Sequence, residues 1–195
     1  AEKTDGRIQV KIFPNGQLGS ENENLEQLQA GVIAMTKVSA PGLATYNEAF
    51  NAFGLPYIFN DTDDFYHVMD SQEMQDFFLS TGDDGFVTLT YYTSGARSFY
   101  TKDKAIRTPA DLKGLKLRLP TVSHYVRNFE LLGAAPVTMP MTEIFTALQQ
   151  GTIEGQENPP STLLANGWYE VQDYLAMTNH QIAMNFVLFN EDFYN

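Results

Sequence analysis

Three side chains in this sequence could grip a carboxylate: Arg118, Arg97 and Asn158. Arg118 falls in Leu115-Lys116-Leu117-Arg118-Leu119, with Pro120 directly after. The alternation of apolar and polar residues predicts a half-buried strand. Proline cannot continue a strand ladder, so the strand should end there, with the guanidinium near its carboxyl edge. Ligands of open α/β sheets bind at such edges. A guanidinium is planar, permanently charged and able to hold a carboxylate through two parallel hydrogen bonds. Each charge-assisted bond is worth about 1.5–3 kcal/mol. A surface ion pair, which contributes little, is the other use of such an arginine, and spacing alone does not choose between them.

Arg97 follows Tyr91-Tyr92-Thr93-Ser94-Gly95-Ala96. Gly95 permits close approach of backbone to a ligand, and Tyr92 offers a hydroxyl and a ring face. An ordinary strand-end arginine is the alternative. Asn158 sits in Gly155-Gln156-Glu157-Asn158-Pro159, a predicted turn after a helix that stops at Gly151. Its amide both donates and accepts, although a plain turn asparagine fits the same pattern.

Other chemistries find little support. The chain has no cysteine, so it offers no thiol nucleophile and no thiolate ligand. His67, His124 and His180 share no metal-ligand spacing. Glu143, Glu154 and Glu157 are not spaced as a catalytic pair, and Glu143 suits the first turn of a helix. Residues 151–155 lack the glycine count and the lysine of a phosphate loop. No catalytic residue, metal or cofactor is expected.

The elements that must position these residues alternate. Strands are predicted over residues 7–13, 32–38, 86–92, 97–101, 115–119, 137–139 and 183–189, with a short extended piece at 153–155. Residues 55–59 should be extended, because Pro56 pushes Leu55 out of the helical region. Helices are predicted after the Ser20/Glu23 capping box, and over residues 41–53, 61–69, 71–79, 123–132, 142–150 and 160–168, with a short turn of helix behind Thr108-Pro109. This predicts an α/β fold with mostly parallel sheets. A division near Arg97 separates residues 1–96, mainly a first lobe, from 97–195, mainly a second lobe with segments crossing back.

The 195 residues carry a formal charge of −12, which argues against nucleic acid and anionic membrane as partners. No apolar run reaches the roughly 18 residues of a membrane span. The cations are unevenly placed. None lies between Lys37 and Arg97 or after Arg127, and eight of the twelve fall within residues 97–127. An acidic chain with one cationic segment can bind an anion there, although most of these lysines suit a solvated surface. The start lacks a signal-peptide core, and both termini read as cut elements.

Longer strings carry a resemblance: PADLKGLKLRLP (109–120), LGAAPVTMPMTEIFTALQQGTIEGQENP (132–159), YEVQDYLAMTNH (169–180), FPNGQLGSENENLEQLQAG (13–31) and GLPYIF (54–59). Together they make the chain resemble the solute-binding proteins of tripartite ATP-independent periplasmic (TRAP) transporters, the DctP-type family. The resemblance implies a two-lobed periplasmic binding protein that closes over an organic anion and delivers it to TRAP permease subunits in the membrane. Family members are longer, and the pieces without a counterpart here are the start of the first lobe and the closing helices. Arg118 then matches the arginine that pairs with the ligand carboxylate, Arg97 an assisting arginine, and Asn158 the asparagine of the GQEN string. Met141, two residues after Met139, would line the pocket. The acid and arginine of sialic-acid-binding members have no counterpart in Val38-Ser39-Ala40-Pro41-Gly42, where Ser39 would line the pocket instead. The Trp-Glu metal pattern of the 2-oxo-acid branch is missing too, since Tyr169 follows Trp168. C4-dicarboxylates, sugar acids and 2-oxo acids all satisfy one such clamp, and the polar, aromatic segment Tyr91–Ser94 suits the hydroxyls of a sugar acid. A lyase or isomerase of small acids, and the ligand-sensing domain of a signalling receptor, are the alternatives.

Overall fold

Local capping signals start several of the helices. The computed structural model describes residues 2–120 and 123–194; the side chains of Ser123 and His124, and so the expectation about His124, lie outside that description. Ser20 caps α1 (Glu21–Gln29) with the full box, its N–H donating to the Glu23 carboxylate at 2.7 Å. β1 (Met35–Ser39) follows, then α2 (Ala40–Leu43) with Pro41 in its first turn. Asp61 caps α3 (Thr62–Met69) and Ser71 caps α4 (Gln72–Leu79). The chain continues through β2 (Phe86–Thr101), β3 (Lys116–Leu119), α5 (Ser123–Leu131), β4 (Ala135–Thr138), α6 (Ile144–Gln149), β5 (Gly155–Asn158), α7 (Pro160–Ala165), β6 (Tyr174–Asn190) and α8 (Glu191–Tyr194). Among the described residues, no helix is long and apolar enough to cross a membrane.

All six strands form one sheet, in the order β1-β6-β2-β5-β3-β4. The α/β class holds, but the expectation of mostly parallel pairing does not. Three of the five neighbouring pairs, β1/β6, β6/β2 and β2/β5, are antiparallel. The reason is length. β2 and β6 run 16 and 17 residues and pair with each other along nearly all of it. Only the four-residue strands β3, β4 and β5 are parallel, joined by the crossovers through α5 and α6 that parallel pairing demands.

Several predicted boundaries change. The two strands expected at 86–92 and 97–101 are one, because Gly95, at φ 105°, takes up a bulge between Thr93 and Gly95. Residues 7–13 alternate but are not a strand; Ile8 and Ile12 are 60% and 78% exposed, and no described strand pairs with them. The strand expected at 32–38 starts only at Met35. The helix expected at 41–53 splits into α2 and a 3-10 segment, Glu48–Gly54, capped by Asn47. Leu55 is extended as Pro56 requires, but Tyr57 turns into the left-handed region at φ 54°, its N–H donating to the His180 carbonyl at 2.9 Å.

Asn158 ends a buried strand rather than sitting in a turn. β5 is wedged between β2 and β3, which explains Gly155. A Cβ there would lie 2.5 Å from the Tyr100 carbonyl oxygen, 2.9 Å from Thr101 Cγ2 and 3.0 Å from Leu117 Cδ2. Gly155→Ala is expected to cost about 1–3 kcal/mol of stability through overpacking. An unchanged urea midpoint would contradict this.

Three apolar clusters hold the sheet. The first packs α1 to α4 against β6 and the start of β2, around Phe50, Phe65, Phe86 and Phe186. The second joins Phe99 of β2 to Leu117 and Leu119 of β3 and to Tyr125 and Phe129 of α5. The third gathers Met139, Ile144, Leu148, Ile153 and Trp168.

Candidate ligand-binding site

Leu117 and Leu119 are fully buried in the second cluster, so strand alternation turns Arg118 to the opposite face. That face borders a cleft of about 960 Å³. All six residues singled out from the sequence line it: Ser39, Tyr92, Arg97, Arg118, Met141 and Asn158. Arg118 and Arg97 are only 6% and 9% exposed, whereas Tyr92 and Met141 are open at its walls.

The two arginines are electrostatically unlike. Arg97 donates to both carboxylate oxygens of Glu157 and, through Nη2, to the Glu157 carbonyl at 2.8 Å. His180 Nε2 lies 3.3 Å from the same carboxylate, and its ring stacks on Phe99 with centroids 4.7 Å apart. Burial alone would raise the Glu157 carboxyl, but the Arg97 charge together with the hydrogen bonds from His180 and Arg97 outweighs it and holds the group well below the usual carboxylate range. Arg97 is therefore a neutralised cation.

Arg118 has no such partner. Its Nε and Nη2 donate to the Met139 carbonyl at 3.0 and 2.8 Å, and among the described residues it forms no ion pair. Burial, reinforced by the nearby Arg97 charge, lowers its pKa to about 10. A buried guanidinium held only by a carbonyl can take up an anion from the cleft side.

Asn158 is held by a run of amides. Its Nδ2 donates to Gln156 Oε1, and Gln156 Nε2 donates to Gln172 Oε1 at 3.1 Å. Ser39 Oγ donates to Glu21 at 2.6 Å, and Lys37 Nζ lies 2.6 Å from the other oxygen of that carboxylate. Burial raises the Glu21 carboxyl, yet the Lys37 charge and the Ser39 hydrogen bonds bring it below its ordinary value, so it stays ionised.

Sequence reasoning missed Glu21, Glu157 and the Tyr125–Gln181 hydrogen bond in the cleft wall. Glu21 lies in the first turn of α1, directly behind the capping Ser20, where acids are common for helix reasons alone. Glu157 stood beside Asn158 in the same short string, but its partner Arg97 is 60 residues away. No local pattern ties the two together. Among the described residues, no cluster of histidine, aspartate or glutamate could hold a metal ion.

The family model for bacterial extracellular solute-binding proteins of family 7, named DctP, matches residues 1–195. A TRAP periplasmic solute-binding protein of Anaerococcus prevotii, solved with bound D-glucuronate, is 36% identical and superposes with a TM-score of 0.94 over 98% of this chain and 62% of its own. The sugar-acid-binding protein DctPAm of Advenella mimigardefordensis, solved with galactonate, is 33% identical, with a TM-score of 0.95 over 99% of this chain and 62% of its own. The C4-dicarboxylate-binding periplasmic protein DctP of Rhodobacter capsulatus is 32% identical over 100% of this chain and 59% of its own length. The chain thus spans less than two thirds of each of these proteins.

Proposed function

The chain belongs to the DctP family of bacterial extracellular solute-binding proteins, and from that premise we infer that it is a periplasmic receptor for a small organic acid, a sugar acid or a C4-dicarboxylate. The observation that carries this is Arg118: a buried cation on the cleft wall, bonded to one carbonyl and, among the described residues, to no carboxylate. A ligand carboxylate loses several kcal/mol of hydration on entering a site, unless a paired cation and hydrogen bonds replace it. Arg118 supplies the charge, and the fixed amide of Asn158 supplies further bonds. Arg97 assists indirectly, its charge already balanced by Glu157. Ser39, Tyr92 and Met141 face the rest of the ligand.

Residues 1–96 and 97–195 act as the two lobes that close on the ligand, with the long strands β2 and β6 crossing between them. The closed form hands its acid to the membrane subunits of a TRAP permease. A lyase or isomerase would need a free acid or base in the cleft, and Glu157 is committed to Arg97 and His180. A thermal-shift panel of aldonates, uronates and C4-dicarboxylates on the purified protein tests the receptor role, because a ligand that binds only the folded state raises the melting temperature. A rise with at least one acid, followed by calorimetric titration without turnover, is the expected result. A flat response to every acid would overturn it.

A further inference from the structure

Given the receptor role, the cleft must also discriminate among acids. We propose that it selects hydroxylated monocarboxylates and disfavours dicarboxylates, with Glu21 as the residue that rejects a second carboxylate.

The charges on the cleft wall set this limit. Among the described residues, the charged side chains lining the cleft are Glu21, Lys37, Arg97 and Arg118. Arg97 is committed to Glu157 behind the wall, and Lys37 to Glu21. One cation, Arg118, remains without a carboxylate, so one ligand carboxylate completes the pairing. A second would have to take Lys37 from Glu21 or Arg97 from Glu157. Either exchange breaks an ion pair that the fold already makes, so the number of ion pairs does not rise. The second carboxylate must still give up its hydration. Glu21 also repels it directly, since an ionised carboxylate only accepts hydrogen bonds.

The remaining wall suits hydroxyls. Ser39 of β1 lies opposite Asn185 of β6, which lies opposite Tyr92 of β2. These three neutral side chains form a row across the sheet, all of them lining the cleft. Each can donate and accept, and a hydroxyl can also donate to Glu21.

Matched acids that differ only in the second carboxylate test this: gluconate against glucarate and galactonate against galactarate, with succinate added, by calorimetric titration. At least one monoacid is expected to bind at least about tenfold more tightly than its matched diacid and than succinate. A diacid binding as tightly as its monoacid, or more tightly, overturns the proposal while leaving the receptor role intact. Failure of every acid to bind overturns the receptor role itself. Glu21→Gln should narrow the monoacid-to-diacid ratio by raising diacid affinity. Lys37→Met, which leaves Glu21 unpaired, should widen it. A ratio unmoved in both variants, with urea midpoints showing them folded, removes Glu21 as the discriminator. If Glu21→Gln does not fold, the wild-type ratio and Lys37→Met decide.

Discussion

Replacing Arg118 with methionine is expected to weaken organic-acid binding about a hundredfold without destabilising the ligand-free protein. The affinity loss corresponds to about 3 kcal/mol, the value of one strong charge-assisted hydrogen bond. The stability effect has two opposing parts. Depression of the guanidinium pKa from 12.5 to about 10 corresponds to roughly 3 kcal/mol of cost for keeping it charged in the fold. Removing it relieves that cost. It also strips the Met139 carbonyl of both its Arg118 donors, which costs about 1–3 kcal/mol if the oxygen stays dry. The balance lies near zero or on the stabilising side. Arg118→Lys keeps a charge but loses the planar fork, so its affinity should fall between the two. Calorimetry with a ligand found by thermal shift, together with urea denaturation, checks both halves. An unchanged dissociation constant would remove Arg118 from the site, and a protein destabilised by several kcal/mol would make it a structural residue.

Glu157 has the opposite profile. Glu157→Leu is expected to destabilise the protein by about 3–5 kcal/mol, because Arg97 is left charged and buried without its carboxylate partner. Removing both members, as Arg97→Met with Glu157→Leu, should restore much of that loss, as happens when buried ion pairs are replaced by packed apolar residues. The acid response follows from the same pair. The folded Glu157 carboxyl lies below its ordinary value of 4.5, so its contribution is complete above that value. It is lost as the pH falls from there through the lowered folded value, where protonation breaks the pair. Acid denaturation followed by tryptophan fluorescence should show this loss in the wild type and lack this component in the double variant. If the double variant is no more stable than Glu157→Leu, the ion-pair account is wrong.

The parts of this molecule legible in its sequence are those decided within a few residues. The Ser20/Glu23 box, the caps at Asp61 and Ser71 and the alternation around Arg118 each specify local conformation without help. The six site residues gathered in one cleft came from the arginine chemistry and from the family resemblance, and the chain's membership of that family bears the resemblance out. What local pattern could not reveal depends on partners far along the chain. The apolar alternation of residues 7–13 is as regular as that of β3, yet only β3 has strands on both sides. Nothing near Arg97 in the sequence shows that its charge is already matched, because its partner Glu157 lies 60 residues away. The antiparallel character of the sheet likewise comes from β2 and β6, whose paired ends Phe86 and Asn190 are over a hundred positions apart.

Those two strands have a mechanical consequence. β2 sends Phe86 into the first apolar cluster and Phe99 into the second, and β6 does the same with Phe186 and Ala176. Neither cluster can loosen without tugging on a ladder of hydrogen bonds that the other also holds. The pair behaves as a stiff double ribbon threaded through two cores, and it makes their melting a cooperative event. Strain applied at one end of the cleft floor is therefore carried along the ribbon to the other.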